Sequence, residues 1–134
     1  MITPCIHFQN NCDEAIQFYK KALAADVKAI HYAKDAPPNS GMDALPPNFI
    51  MHSEVLIAGM NFSMTDGGEV PITSESVSFM ITYNTEQEVT AAFEQLASGG
   101  KIVEPLAAVF WSPLYAYVID RFGVNWQVMV HHPD

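Results

Sequence analysis

His52 and Glu54 stand two residues apart in a stretch of strand-like composition, a spacing that puts both on one face of an extended chain. An imidazole titrating near neutral pH beside a carboxylate can move a proton, ligate a divalent ion or hydrogen-bond a ligand. The pair by itself leaves all three open. Nearby Ala58-Gly59 reads as a tight hairpin turn between the runs Phe49 to Ala58 and Met60 to Thr65. Such a turn pairs Glu54 with Ser63 and His52 with Thr65. Residues 52, 54, 61, 63 and 65 then share a polar face, with Met51, Val55, Ile57, Phe62 and Met64 on the apolar one. Trp111, Tyr115 and Tyr117 form a second cluster, whose rings can pack a core or wall a pocket for a flat or apolar ligand. Trp126 reads as core, and the methionines as adaptable core or pocket lining. Cys5 and Cys12 have no histidine next to them and read as inert thiols. His7, between Ile6 and Phe8, reads as a histidine packed beneath a helix.

The elements that carry these residues come in two similar sets. Ile2 to Phe8 is a short strand ending at the turn-forming Gln9-Asn10-Asn11. Asp13-Glu14 then open a helix whose apolar residues Ala15, Ile16, Phe18, Tyr19, Ala22 and Leu23 recur at spacings of three and four. Val27 to Tyr32 is a strand. The stretch from Lys34 to Asn48, with Pro37-Pro38 and Pro46-Pro47, supports neither helix nor ladder, and a loop that long suggests a lid or an interface arm. After the hairpin comes a linker of residues 67–76. Val77 to Tyr83 is again a strand and Thr85 to Ser98 a helix ended by Gly99-Gly100. Strands follow at Ile102 to Phe110, Tyr115 to Ile119 and Val124 to Val130. A shift of 74 residues lays Ala15 on Val89, Phe18 on Ala92, Tyr19 on Phe93, Ala22 on Leu96 and Ile6 on Met80. This is an α+β chain of two βαβββ modules within one domain spanning 1–134: module one 1–66, module two 77–132.

Composition narrows the function classes. The chain has 134 residues, 49% hydrophobic and only 16% charged, with a net charge of −9. A charged fraction below the roughly 25% of average chains suggests that some surface is covered by a partner subunit. Fifteen acids against six Lys+Arg, dispersed along the chain, argue against nucleic acid and make the charge a solvated surface. No apolar run approaches the roughly 20 residues of a membrane span. Met1-Ile2-Thr3-Pro4 lacks signal-peptide features, and two cysteines make no disulfide framework. The expectation is a cytoplasmic protein with free thiols. His131 and His132 read as a frayed end.

The stretch Phe110-Trp111, then Val118, Asp120, Phe122-Gly123 and Trp126, resembles the F-W…V-x-D-x-F-G-x-x-W signature of the PhnB-like branch of the vicinal oxygen chelate superfamily, the glyoxalase and bleomycin-resistance fold. Pro4, Asn11-Cys12, Ala15, Phe18-Tyr19, His52 and Gly59 match in the same order, so the resemblance spans nearly the whole chain. It implies paired βαβββ modules forming a curved mixed sheet around a cleft, assembled as a homodimer. Some members carry a demethylubiquinone methyltransferase label, but no glycine-rich nucleotide loop is present here.

The superfamily's metal ligands, His or Glu, lie near the start of each module and on its last strand. Carried over, these positions fall on Pro4, near Ser63, on Ser78 and on Gln127, a set without the expected donors. If Ser63 marks the concave face, His52 and Glu54 point into the cleft beside Ser78, Thr82 and Gln127. The expectation is therefore a protein binding a small apolar or aromatic molecule in that cleft without the family's usual metal or another cofactor. Its ligand-binding residues are His52, Glu54, Ser63, Ser78, Trp111, Tyr115 and Gln127; no catalytic residue is assigned. The rival expectation is a divalent-metal-dependent lyase, isomerase or dioxygenase using His52 and Glu54. A third is a closed cleft, with the protein acting through its dimer surface.

Overall fold

Asp13 and Glu14 in the first turn of one helix and Lys20 and Lys21 in its last turn complement the helix dipole. Cys12, Ala15, Ile16, Tyr19 and Leu23 make one buried stripe along it. The computed structural model describes residues 1–73 and 75–131, with Asp43 by its backbone alone. His132, the last residue expected in module two, lies outside the described residues. The elements are β1 (Cys5–His7), α1 (Cys12–Leu23), β2 (Asp26–Tyr32), β3 (Ile50–Ile57), β4 (Met60–Thr65), β5 (Phe79–Tyr83), α2 (Glu86–Ala97), β6 (Lys101–Val109), β7 (Ser112–Ile119) and β8 (Asn125–Val130). Two short 3-10 turns, Ala33–Asp35 and Met42–Ala44, punctuate the proline-rich segment that sequence alone reads as irregular.

The chain divides into two compact units, Met1–Pro71 and the residues from Ile72 onward. Each is a βαβββ unit around its own four-stranded mixed sheet, ordered β1-β4-β3-β2 in the first and β5-β8-β7-β6 in the second. β1–β4 and β5–β8 pair parallel, and the remaining neighbours antiparallel. The fold is α+β. In the first unit Ile6, Phe8, Val55, Ile57, Phe62 and Met64 are buried, as is the apolar stripe of α1. In the second, Ile81, Ala116, Val118, Trp126 and Val128 are buried with Val89, Ala92 and Leu96 of α2. The period of two then leaves the alternate residues of each sheet on its other, open face.

Strand ends and phase differ from the sequence reading. Ile2 and Val77 are 90% and 63% exposed, and the first strand of each unit starts only at Cys5 and Phe79. The 74-residue shift holds for the helices, Cys12–Leu23 onto Glu86–Ala97. It fails for the strands before them, because Ile6 is buried whereas Met80 is 51% exposed. The buried equivalent of Ile6 is Ile81, a shift of 75. Asn10, at φ 66°, takes up the difference in the longer first connection. The hairpin does turn at Ala58-Gly59, with φ 49° and 86°, both residues in the left-handed region a two-residue turn requires.

Candidate functional site

Four residues of the second unit named from the sequence come together on its open face. The ladder sets Tyr115 opposite Met129 and Tyr117 opposite Gln127, with Gln127 beside Met80 on β5. Ser78, two residues before Met80, shares that face. The Tyr115 hydroxyl donates to Oε1 of Gln127 (2.6 Å), and Nε2 of Gln127 donates to the Ser78 hydroxyl (2.8 Å). The chain of bonds polarises in one direction and leaves the Ser78 proton and the second Nε2 proton as donors. Burial, then the charge of Glu104 and the neighbouring Tyr117, raises the Tyr115 pKa above its ordinary 10, so this phenol stays a donor. Trp111 packs edge-on against Tyr115 at a centroid distance of 5.6 Å and is itself half-exposed. Tyr117 is held separately, donating to Oδ1 of Asn125 (3.0 Å). Hydrogen-bond donors beside an exposed aromatic face suit an uncharged acceptor oxygen on an apolar body.

The first unit's open face is more polar and more solvated. His52 and Glu54 are both exposed, on the face that β3 turns away from buried Ser53 and Val55. Ser63, 6% exposed, sits beside Cys5 in the parallel ladder. The expected pairing of His52 with Thr65 does not form. The ladder from Ile57–Met60 runs to Val55–Phe62, in a register that sets Glu54 opposite Ser63. Next, the Ser53 hydroxyl donates to the Met64 carbonyl and accepts from its N–H, and Met51 is then the extra residue of a β-bulge. Thr65 instead bonds Nδ1 of His7 (2.8 Å), and His52 stacks on His31 of β2 at 5.7 Å between centroids. His7 is exposed on this open face with Cys5, not packed beneath α1. By the same phase Pro4 lies out of step with Cys5 and His7. Thr3, not Pro4, occupies the position equivalent to Ser78.

The signature residues hold structure. Asp120, 3% exposed, accepts from the N–H groups of Phe122 (2.9 Å) and Val124 (3.1 Å) and from Nε1 of Trp126 (2.9 Å). Gly123 has φ 94°, and a Cβ there would collide with the Ile72 carbonyl oxygen. Asp66, which the sequence reading places at the end of module one without a role, accepts from the N–H groups of Cys12 (3.0 Å) and Ile50 (2.9 Å) and ties α1 to β3. Burial first, then Asp66 and Asp13, pushes the Cys12 thiol far up, which leaves it protonated and inert. His31 was also missed. Its signal was present, a histidine in the Val27 to Tyr32 strand, but its partner depends on two register shifts that carry no sequence mark.

The superfamily's divalent metal does not fit the donors at its usual positions. Thr3 or Pro4, Ser63 and Ser78 supply at most neutral hydroxyls, and both amide atoms of Gln127 are engaged. Among the described residues no three His, Cys, Asp or Glu side chains converge. No helix among them is long and apolar enough to cross a membrane.

Two βαβββ units of identical strand order define the class, the glyoxalase and bleomycin-resistance fold of the vicinal oxygen chelate superfamily. The chain belongs to the PhnB-like family described as 3-demethylubiquinone-9 3-methyltransferase, whose family model matches residues 1–129. It is 32% identical to protein YjdN of Escherichia coli strain K12, across 96% of this chain and 94% of that protein. The fold matches that of a PhnB protein from Bacillus cereus at TM-score 0.79 and 24% identity, covering 96% of this chain and 98% of that one. It also matches a mutant of the fosfomycin resistance protein FosX from Listeria monocytogenes, complexed with Mn(II), at TM-score 0.68 and 12% identity, covering 96% and 90%.

Proposed function

We propose that the protein binds a small apolar or aromatic molecule bearing an acceptor oxygen, without a metal at the superfamily's usual positions. The observation that carries this reading is the Gln127 amide fixed between the Tyr115 and Ser78 hydroxyls beside Trp111. A glutamate there would be a charged metal ligand; a neutral amide tethered at both ends is a poor one and a good hydrogen-bonding group. His52, Glu54 and Ser63 enter the proposal as polar groups of the first unit's open face, and the loop from Lys34 to Asn48 as a lid. The family's methyltransferase description finds no support in a glycine-rich loop: Gln9-Asn10-Asn11 precedes α1 and Asn84-Thr85 precedes α2.

The test is calorimetric titration of EDTA-treated protein with acetophenone and with ethylbenzene, which lacks the oxygen. Acetophenone binds at least about tenfold tighter to the wild type, and Gln127→Leu abolishes that preference. Equal affinity for both, or binding that returns only with a divalent ion, contradicts the proposal.

One observation favours a second reading. The stacked pair of His31 and His52 gives Glu54 a richer neighbourhood than the sequence suggested. A lyase, isomerase or dioxygenase working there would show turnover that requires Mn²⁺, Ni²⁺ or Zn²⁺ and disappears in His52→Ala. A cytoplasmic homodimer completes the proposal. Edge strand β6 leaves Ile102 and Val103, 49% and 41% exposed, and the following Phe110, 92% exposed, for a second copy to cover. A molar mass of one chain at micromolar concentration in light scattering contradicts the dimer.

A further inference from the structure

His31 and His52 are directly opposed on β2 and β3, and both are exposed. Their rings are near parallel, 21° apart, with centroids separated by 5.7 Å. Near-parallel rings do not aim both nitrogen lone pairs at one point, but the two imidazoles are exposed on directly opposed residues, so rotation about their side-chain bonds lets them share one ion at about 2.0–2.1 Å each. A third donor adjoins them. Met51 is the bulged residue between Ile50 and His52, and a bulge re-aims the side chain it carries. Met51 is half-buried and lines, with His31, His52 and Asp35, a cavity of about 360 Å³ at this edge of the first unit's sheet. Lys34 lies over the Tyr32 ring and Lys28 is paired with Asp26, so neither cation is committed to the imidazoles.

We infer that His31, His52 and Met51 form a copper site distinct from the superfamily's metal position. Two imidazoles and a thioether are a borderline-to-soft set. Thioether selects Cu(I), and imidazole sites bind Cu(II) more tightly than Ni(II) or Zn(II). Hard cations such as Mg²⁺ and Ca²⁺ find no oxygen cage here, since Asp35 alone contributes a carboxylate to the cavity. The bulge gives the site its form. Without the extra residue, Met51 would alternate onto the apolar face with Val55, and the cavity would carry two imidazoles only. The site uses none of Ser78, Gln127 and Tyr115, so it neither needs nor supports the ligand reading.

The test is to titrate metal-free full-length protein with Cu(II), followed by electron paramagnetic resonance, and anaerobically with Cu(I) against bicinchoninate. Near one copper per chain is expected, with nitrogen hyperfine coupling from two imidazoles. His31→Ala and His52→Ala each weaken Cu(II) by at least about tenfold, while Met51→Leu weakens Cu(I) by about tenfold and leaves Cu(II) nearly unchanged. His7→Ala and His131→Ala keep full copper binding and exclude the other described histidines. The substituted histidines are exposed, so the variants fold, and circular dichroism checks this. Copper retained by His31→Ala, Zn(II) displacing Cu(II), or Met51→Leu without effect on Cu(I) overturns the inference. Acetophenone binding by His31→Ala, measured in parallel, separates this failure from failure of the ligand reading.

Discussion

The two units share one strand order but close the corresponding hairpin by opposite means. Between β3 and β4 two residues in left-handed backbone suffice, Ala58 and Gly59. Between β7 and β8 a longer turn is held by one buried carboxylate, Asp120, with three donors. The open faces differ in the same way. The first carries exposed His31, His52 and Glu54; the second carries Tyr115, Gln127 and Ser78 locked in a chain of hydrogen bonds. Topology is thus set by buried periodicity common to both units, while turn chemistry and open-face residues vary independently of it.

The sharpest break of this comparison is removal of the carboxylates. Asp120→Ala orphans two backbone N–H groups and a buried indole N–H, and it should cost on the order of 3–4 kcal/mol. Asp66→Ala orphans two N–H groups and should cost about 2–3 kcal/mol. Urea unfolding measures both, and an Asp66 variant less stable than the Asp120 variant would reverse the ranking of the two carboxylates.

Next in size is the alkaline limb of stability. The Tyr115 pKa is raised in the folded state, by burial first. Its contribution is therefore complete below the unfolded value near 10 and is lost as pH rises through the higher folded value. Tyr83 is raised likewise, by burial and then Glu88, and Tyr32 by burial and then Asp13. Unfolding free energy should fall above pH 10, and Tyr115→Phe should make that fall shallower without abolishing it. An unchanged slope in the variant would mean that the Tyr115 phenol is not held protonated.

The helix N-termini give a smaller contrast. Thr85 caps α2 by accepting from the Glu88 N–H (3.1 Å), whereas Asn11 makes no side-chain cap on α1 and its buried Oδ1 lacks a partner. Thr85→Ala should cost about 1 kcal/mol, and Asn11→Ala less than about 0.5 kcal/mol. The smallest effect has the opposite sign. Ala58, at φ 49°, is strained where Asn or Gly is preferred, so Ala58→Asn should stabilise by about 0.5–1 kcal/mol, read as a raised melting temperature.

Much of the architecture was legible because helices and buried strand faces repeat with fixed periods. Ala15, Ile16 and Tyr19, or Val89, Ala92 and Leu96, mark their buried stripes directly. Phase was less legible. One extra residue near Asn10 moves β1 by one position, which turns His7 outward and puts Thr3 where Pro4 was expected. The bulge at Met51 likewise breaks the inferred partnership of His52, because bulges are set by tertiary pairing and leave no residue pattern. The family pattern was legible for a related reason. Asp120, Gly123 and Trp126 are required by a turn and a core, and such requirements fix residue types more tightly than a ligand-facing surface does. The cluster of Ser78, Trp111, Tyr115 and Gln127 was named from sequence, but its hydrogen-bond direction was not. That direction depends on Tyr115 staying protonated beside Glu104.

On the proposed function, Gln127 hydrogen-bonds a neutral ligand at a position where the superfamily resemblance implies a metal-ligating glutamate. The most direct measurement follows the Gln127 side-chain amide by ¹H–¹⁵N correlation while EDTA-treated protein is titrated with acetophenone. A saturable shift of the Gln127 amide protons is expected in the absence of any metal. An unmoved Gln127 amide at saturating ligand, or a shift that appears only after a divalent ion is added, would contradict it.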